Sequence, residues 1–215
     1  MRLGRTNAVP GPSHQELIDT AFDRSRKSLP PVLLRLRALD EAIKSADGAD
    51  GTDKILALQR VGRFDRDIAV ISRRLFVSSD PLSTEFRDTL KKVIDLIHGN
   101  ATASSAIIDQ GDLGRCAAGN YTPPGVPFAA TTQSDPDPRV SVCTPFFDTN
   151  DDLRRDIITH EFFHLVGLAD VSVTNASEGL NNAHTMAQIV SFLHDRARQA
   201  NAIGGEQQVP PLPMP

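Results

Sequence analysis

The stretch that decides the fold runs from Asp151 to Asp170 and reads Asp-Asp-Leu-Arg-Arg-Asp-Ile-Ile-Thr-His-Glu-Phe-Phe-His-Leu-Val-Gly-Leu-Ala-Asp. Carboxylates at its start suit the positive end of a helix, and the pattern predicts one from about Asp152 to Val166. Residues four apart lie on one face of a helix, so the imidazoles of His160 and His164 can reach a single metal ion. Glu161 then projects beside that ion. The His-Glu-x-x-His pattern in a helix therefore predicts a site for one zinc ion.

A catalytic zinc site normally has three protein ligands and one open position, so a third donor is needed. Gly167 can adopt the positive φ that ends a helix, which lets the chain turn back and bring Asp170 to the ion. Glu178 and His184 are competing donors, and Asp170 is preferred because the glycine lies where a short return requires it. The structural alternatives are a turn or capping role for Asp170 and a hydrogen-bonded core pair for the two histidines.

The expected chemistry follows from these ligands. Zinc lowers the pKa of a bound water to about 7 and polarises a substrate carbonyl. A carboxylate next to that water can take its proton and deliver it to the leaving nitrogen, and Glu161 is the predicted general base.

Outward from this stretch, hydrophobic spacing and end signals predict a mostly helical chain. Ser13 and Glu16 have the spacing of a capping box, which predicts a helix N-terminus. Pro30 and Pro31 are expected to separate two helices. Gly99 is expected to end a later helix. The predicted helices run from Ser13 to about Lys27, from Val32 to about Ala46, from Thr52 to Phe76, from about Ser83 to His98 and from about Asn181 to Gln199.

Short β-compatible runs separated by Gly, Pro, Asp and Asn occupy the region after residue 100. They are Ser105 to Asp109, Val126 to Ala130 and Val140 to Thr144. The prediction is an α+β fold with a small antiparallel sheet. We expect residues 1–12 to form a loose arm, 13–200 a single catalytic domain and 201–215 a Pro-rich tail. Within the domain, 13–100 form the helical part and 101–200 the sheet and zinc-site part.

Composition excludes several partner classes. The 215 residues include 23 Lys and Arg against 27 Asp and Glu, so no positive excess attracts nucleic acid. No stretch approaches the roughly 18 apolar residues of a membrane span, and Pro10 and Pro12 follow the first residues where a signal peptide would need an apolar core. We expect a soluble protein with neither feature, which leaves the compartment open between the cytoplasm and export by another route.

The chain has two cysteines, Cys116 and Cys143, too few for a four-cysteine zinc site. A disulfide between them would persist in an oxidising compartment, whereas the lack of a signal favours free thiols. Both states remain open.

Three segments carry a family resemblance: Cys143-Thr144-Pro145-Phe146-Phe147, His160-Glu161-x-x-His164 and Asn181-Asn182-Ala183. They are similar to the Cys-x-x-Phe-Phe segment, the zinc helix and the Asn-Ala-Asp segment of the aspzincin metallopeptidases. This deuterolysin-like group includes a lysine-specific metalloendopeptidase-type branch, which the stretch from Val140 to Arg196 resembles most. The resemblance implies a zincin fold, an Asp as third zinc ligand and endopeptidase activity on a peptide or protein substrate.

The sequence departs from that family in the segment Gly167-Leu168-Ala169-Asp170 and in the residues that follow it. Family members usually carry Gly-Thr-x-Asp followed by a Tyr that helps to hold the oxyanion, whereas Asp170 is followed by Val-Ser-Val. His184 or Tyr121 could replace that Tyr, or zinc alone could hold the oxyanion. The spacing from His160 to Asp170 also resembles snapalysin-like, metzincin-type peptidases, which would make Met186 a Met-turn rather than a core residue.

The leading hypothesis is thus a zinc-dependent metalloendopeptidase. In zincins that this chain resembles, substrate adds to an edge strand, for which the segment between the cysteines is the candidate. The alternatives are a zinc-containing binding or delivery module with a silent peptidase site, and a zinc amidase acting on cell-wall peptides.

Overall fold

A computed structural model of the chain describes residues 11–102, 107–110, 128–132 and 139–203. The architecture is helix-rich α+β. The helices are α1 (His14–Asp47), α2 (Gly51–Gly62), α3 (Asp65–Leu75), α4 (Thr84–Thr102), α5 (Thr144–Phe147), α6 (Asp151–Leu165), α7 (Ala176–Leu180) and α8 (Ala183–Ile203). The strands are β1 (Ile107–Gln110), β2 (Ala129–Thr132) and β3 (Arg139–Val142). The predicted N-terminal arm up to residue 10, Cys116, Tyr121 and the tail from residue 204 lie outside the described residues.

The three strands form one sheet in the order β1-β3-β2. β2 pairs with β3 antiparallel, as predicted, but β1 pairs with β3 parallel, so the prediction of a purely antiparallel sheet was wrong. A parallel pair needs a connection of a dozen or more residues, and residues 111–138 between the two strands are long enough for it. Apolar runs bounded by turn residues give strand positions and carry no information on strand direction.

Helix α1 begins as predicted and continues further than predicted. The Ser13 side chain accepts a hydrogen bond from the Glu16 amide, and the Glu16 carboxylate accepts one from the Ser13 amide, which completes the capping box. The expected break at Pro30 and Pro31 does not occur. Each proline removes a bond to the carbonyl four residues earlier, and those carbonyls belong to the exposed residues 26 and 27, where water can replace it.

Two other helix boundaries differ from the prediction. The expected helix from Thr52 to Phe76 is divided into α2 and α3 by a tight turn, in which the Phe64 amide donates to the Val61 carbonyl at 2.9 Å. Gly62 is a poor helix former, and acidic residues after the turn favour a new helix N-terminus. Gly99 does not end α4, because its φ is not positive and Ala101 continues the stripe packed against the core.

The core consists of two apolar clusters. The larger one is formed by α1, α2, α3 and α4 together with α6 and α8, and Met186 of α8 belongs to it. The smaller one joins the start of α1, the sheet and α6 through residues such as Val140, Phe146 and Phe162. Helix α6 lies between the clusters and is thereby fixed on two sides. Within the described part of the chain, no helix is both long and apolar enough to cross a membrane.

Candidate metal centre

Helix α6 is the element that positions the metal-binding motif. Asn150 caps it by accepting a hydrogen bond from the Leu153 amide at 2.9 Å. Phe162 is buried in the smaller apolar cluster and Phe163 in the larger one, so successive residues anchor the helix to both. The hydroxyls of Thr159 and Ser25 lie 2.8 Å apart and tie α6 to α1. This anchoring leaves the face with the two motif histidines turned toward an open cavity.

The two histidines are arranged as the helical spacing predicts. The Nε2 atoms of His160 and His164 lie 3.1 Å apart, with the rings edge to face. Nδ1 of His164 lies 2.8 Å from the Leu168 carbonyl. Because a carbonyl can only accept, Nδ1 carries a proton, so the neutral form of this ring has its lone pair on Nε2. His164 is therefore held in the tautomer that a metal requires.

The chain after α6 turns back through a Schellman motif. Gly167 has φ 93°, its amide donates to the His164 carbonyl at 3.0 Å, and the Leu168 amide donates to the Phe163 carbonyl at 3.0 Å. The turn brings Asp170 back to the helix. Its Oδ2 lies 3.3 Å from Nε2 of His164 and 3.5 Å from Nε2 of His160. The glycine-dependent return expected from the sequence is thus present.

The competing third donors occupy different positions. The carboxylate of Glu178 accepts hydrogen bonds from the Thr174 amide and hydroxyl, both at 2.7 Å, and does not line the cavity. His184 does line the cavity, with its ring centre 5.9 Å from that of His160. Its Nε2 is 2.5 Å from the amide nitrogen of Gln188. His184 therefore stands beside the donor group rather than within it.

The spacing of the three donor atoms fits one zinc ion. Ligand atoms that surround zinc tetrahedrally at 2.0–2.1 Å are about 3.3 to 3.4 Å apart. The Nε2 atoms of His160 and His164 and the Oδ2 atom of Asp170 are separated by 3.1, 3.3 and 3.5 Å. Two imidazoles and one carboxylate are also a donor set that zinc accepts. These three residues would hold a zinc ion and would leave room for one further ligand.

Glu161 lies beside this triangle and is held by the sheet. Its side chain is buried, and its Oε2 accepts a hydrogen bond of 2.6 Å from the hydroxyl of Thr131 on β2. One donor atom from each of His160, Glu161 and His164 falls within 4.8 Å of the others. Burial raises the pKa of Glu161, although the Thr131 hydrogen bond and the nearby histidines oppose the shift. A bound divalent cation would oppose this rise, because its charge favours the ionised carboxylate.

The charges of the ligand set influence one another. Hydrogen bonds from His160 and His164 hold the pKa of Asp170 well below its usual range. Burial is the largest influence on His164 and lowers its pKa, but hydrogen bonds to Asp170 and to the Leu168 carbonyl outweigh it, so the pKa is raised overall. In the metal-free protein the carboxylate and a protonated imidazole therefore stabilise each other.

The cavity in front of these residues has a volume of about 1200 Å³. It lies between α6 and α8, with β2 along one side. Phe128, Ala129 and Thr131 line it, and in the described sheet β2 is an edge strand. The segment between the two cysteines thus contributes an edge strand next to the metal-binding helix, as expected.

Sequence analysis missed Thr131, because a lone threonine at a strand end carries no motif, and it gave Asn182 no role of its own. Met186 is fully buried inside α8, which supports a core position and not a Met-turn. Cys143 is disulfide-bonded, while Cys116, the only other cysteine of the chain, lies outside the described residues. Tyr121 lies outside them as well, which leaves His184 as the described candidate for an oxyanion donor.

Comparisons with protein-family models, with curated proteins and with solved structures find no match to this chain.

Proposed function

We propose that this protein is a zinc-dependent metalloendopeptidase with a zincin-like fold. The observation that carries the proposal is the position of Asp170, whose Oδ2 lies 3.3 and 3.5 Å from the Nε2 atoms of His164 and His160. A turn or capping role would not require a carboxylate on both imidazoles. His160, His164 and Asp170 would hold one zinc ion, and Glu161 acts as general base.

When bound, zinc lowers the pKa of a water molecule to about 7 and polarises the scissile carbonyl. Glu161 takes the proton of that water and later gives it to the leaving nitrogen. Thr131 occupies Oε2 of this carboxylate, so Oε1 is the atom available for proton transfer. Helix α6 and β2 therefore fix the base from two sides.

The substrate in this proposal is an extended peptide. It adds, through main-chain hydrogen bonds, to the edge of β2 that no other described strand occupies, which would bring its carbonyl to the donor triangle. His184 lines the same cavity and belongs to α8. With the Gln188 amide donating to Nε2, the ring proton of His184 is on Nδ1, where it can stabilise a developing oxyanion. This would compensate for the absent Tyr after Asp170.

One sequence feature favours a second candidate, a zinc-containing binding or delivery module with a silent peptidase site. Residues 171–173 are Val-Ser-Val where the resembled family has its Tyr. Both candidates need the same zinc site, and only turnover separates them.

The test is hydrolysis of denatured casein by the zinc-loaded protein, followed by chelation and readdition of zinc. A peptidase cleaves casein, stops when the metal is removed and recovers when zinc returns. A protein that binds one zinc and leaves casein intact has a silent site, unless it releases amines from cross-linked cell-wall peptides, which would identify an amidase. A protein that takes up no zinc would contradict the peptidase, the silent binding module and the amidase alike.

A further inference from the structure

The loop that carries Asp170 is fastened to the first residues of α8. The Ala169 amide donates to the Asn181 carbonyl at 3.0 Å, and the Ala183 amide donates to the Ala169 carbonyl at 3.0 Å. These two bonds form an isolated parallel bridge between Ala169 and Asn182. The residue before Asp170 is therefore held by main-chain hydrogen bonds in both directions.

The residue after Asp170 is held by a side chain. Nδ2 of Asn182 donates to the Val171 carbonyl at 2.7 Å, and Oδ1 of the same amide accepts from the Thr185 amide at 2.6 Å. The second bond caps α8, because Thr185 is the third residue of that helix. Asn182 is buried, with 5% of its surface exposed. One amide group thus serves both the helix start and the loop.

We propose that Asn182 is a positioning residue that sets the Asp170 carboxylate against the two histidines. The proposal rests on the metal site of the proposed function. Asp170 itself is 60% exposed at its side chain, so packing contributes little to its position. Its place is determined by the backbone on either side, and Asn182 holds the Val171 side. Groups that orient a metal ligand typically change metal affinity by about 10-fold to 100-fold when removed.

The two bonds of Asn182 can be separated by substitution. Asn182→Asp keeps an oxygen that accepts from the Thr185 amide and loses the hydrogen that Nδ2 donates to the Val171 carbonyl. Asn182→Ser also keeps an acceptor for the cap, and its side chain is too short to reach Val171. Both variants therefore retain the helix cap and release the loop, while differing in charge.

The experiment measures zinc affinity of the metal-free full chain by competition with a chromogenic chelator. We expect both variants to bind zinc about 10-fold more weakly than the unmodified protein, with unchanged far-ultraviolet circular dichroism. The matched control is Asn150→Asp, which makes the same change at the cap of α6, where Asn150 accepts from the Leu153 amide. This control should keep full zinc affinity.

The outcomes separate this inference from the proposed function. An unmodified protein that binds zinc, together with variants at position 182 that bind it equally well, would overturn the positioning role and leave the zinc site intact. An unmodified protein without zinc affinity would overturn the proposed function itself. Weaker binding in Asn182→Asp alone would assign the effect to the added charge, which also contradicts the inference.

Discussion

The helices α1 to α4 and the metal centre are built in different ways. In α1 to α4 the fully buried side chains are mainly apolar, and Leu36, Ile43, Phe86 and Leu90 have no exposed surface. At the metal centre the buried groups are polar: the Glu161 carboxylate accepts a hydrogen bond of 2.6 Å, and the Asn182 amide makes two hydrogen bonds, of 2.6 and 2.7 Å. Apolar burial depends on area and volume, whereas a hydrogen bond depends on one atom. Substitutions in the first region should therefore change stability, and those in the second should change chemistry.

The largest effect should follow removal of the third ligand. Asp170→Ala leaves two imidazoles for the metal, so zinc affinity should fall by about a thousandfold or more and casein cleavage should disappear. The fold should persist, because the Asp170 side chain is mostly exposed. Equilibrium zinc competition provides the measurement. Glu178→Ala is the matched control. A similar loss of zinc affinity in this variant would contradict Asp170 as the third zinc ligand.

A core truncation should produce the opposite pattern. Leu36→Ala removes a fully buried side chain and should lower the free energy of unfolding by about 2 to 5 kcal/mol. Activity per folded molecule and zinc affinity should not change. Urea denaturation of Leu36→Ala beside Leu34→Ala, at a position 73% exposed, measures the difference. A Leu36→Ala protein that remains folded but binds zinc more weakly would contradict this separation of stability from chemistry.

A smaller effect is expected at Thr131, whose hydroxyl holds Glu161. Thr131→Val keeps the side-chain shape and removes the donor, so kcat should fall by about 10-fold while zinc affinity stays the same. The hydrogen bond lowers the pKa of Glu161, so its loss should move the acidic limb of the kcat/KM profile to higher pH. Thr131→Ser should restore both quantities. A pH profile that does not move in the valine variant would contradict a role for this hydroxyl.

The smallest effect concerns the metal-free protein. Its His164 has a raised pKa, so the stabilising charge pair with Asp170 is complete below the unfolded value and is lost as pH rises through the folded value. The free energy of unfolding of the metal-free chain should therefore decline modestly as pH rises above about 6.5, the ordinary pKa of histidine. Zinc affinity should rise over the same interval as the proton leaves. Asp170→Asn should flatten the stability profile, and an unchanged slope in that variant would rule out the pair.

The same contrast explains what could be predicted from sequence. Periodic apolar spacing predicted helices where α3, α4 and α8 lie, because a buried helix face leaves a repeating pattern of apolar residues. The boundaries predicted at Pro30 and Gly99 were wrong and the break after Gly62 was not predicted, because tertiary packing and solvent access decide whether a weak residue ends a helix. The direction of β1 also left no local signal.

At the metal centre, His160, Glu161 and His164 carry a motif, and Gly167 supports the expectation for Asp170. Thr131 acts from a distant strand through one hydroxyl, and Asn182 through one amide, so spacing along the chain cannot reveal either role. The residues that position the metal ligands and the base were thus harder to predict from sequence than the ligands and the base themselves.

The most direct test of the central claim compares the unmodified protein with Glu161→Gln for zinc content and for cleavage of denatured casein. The substitution keeps the shape of the side chain and removes its capacity to take a proton. We expect one zinc per chain in both proteins, cleavage by the unmodified protein and a loss of cleavage of about a thousandfold or more in the variant. Equal cleavage by the two proteins would contradict Glu161 as general base, and the absence of zinc from both would contradict the metal centre.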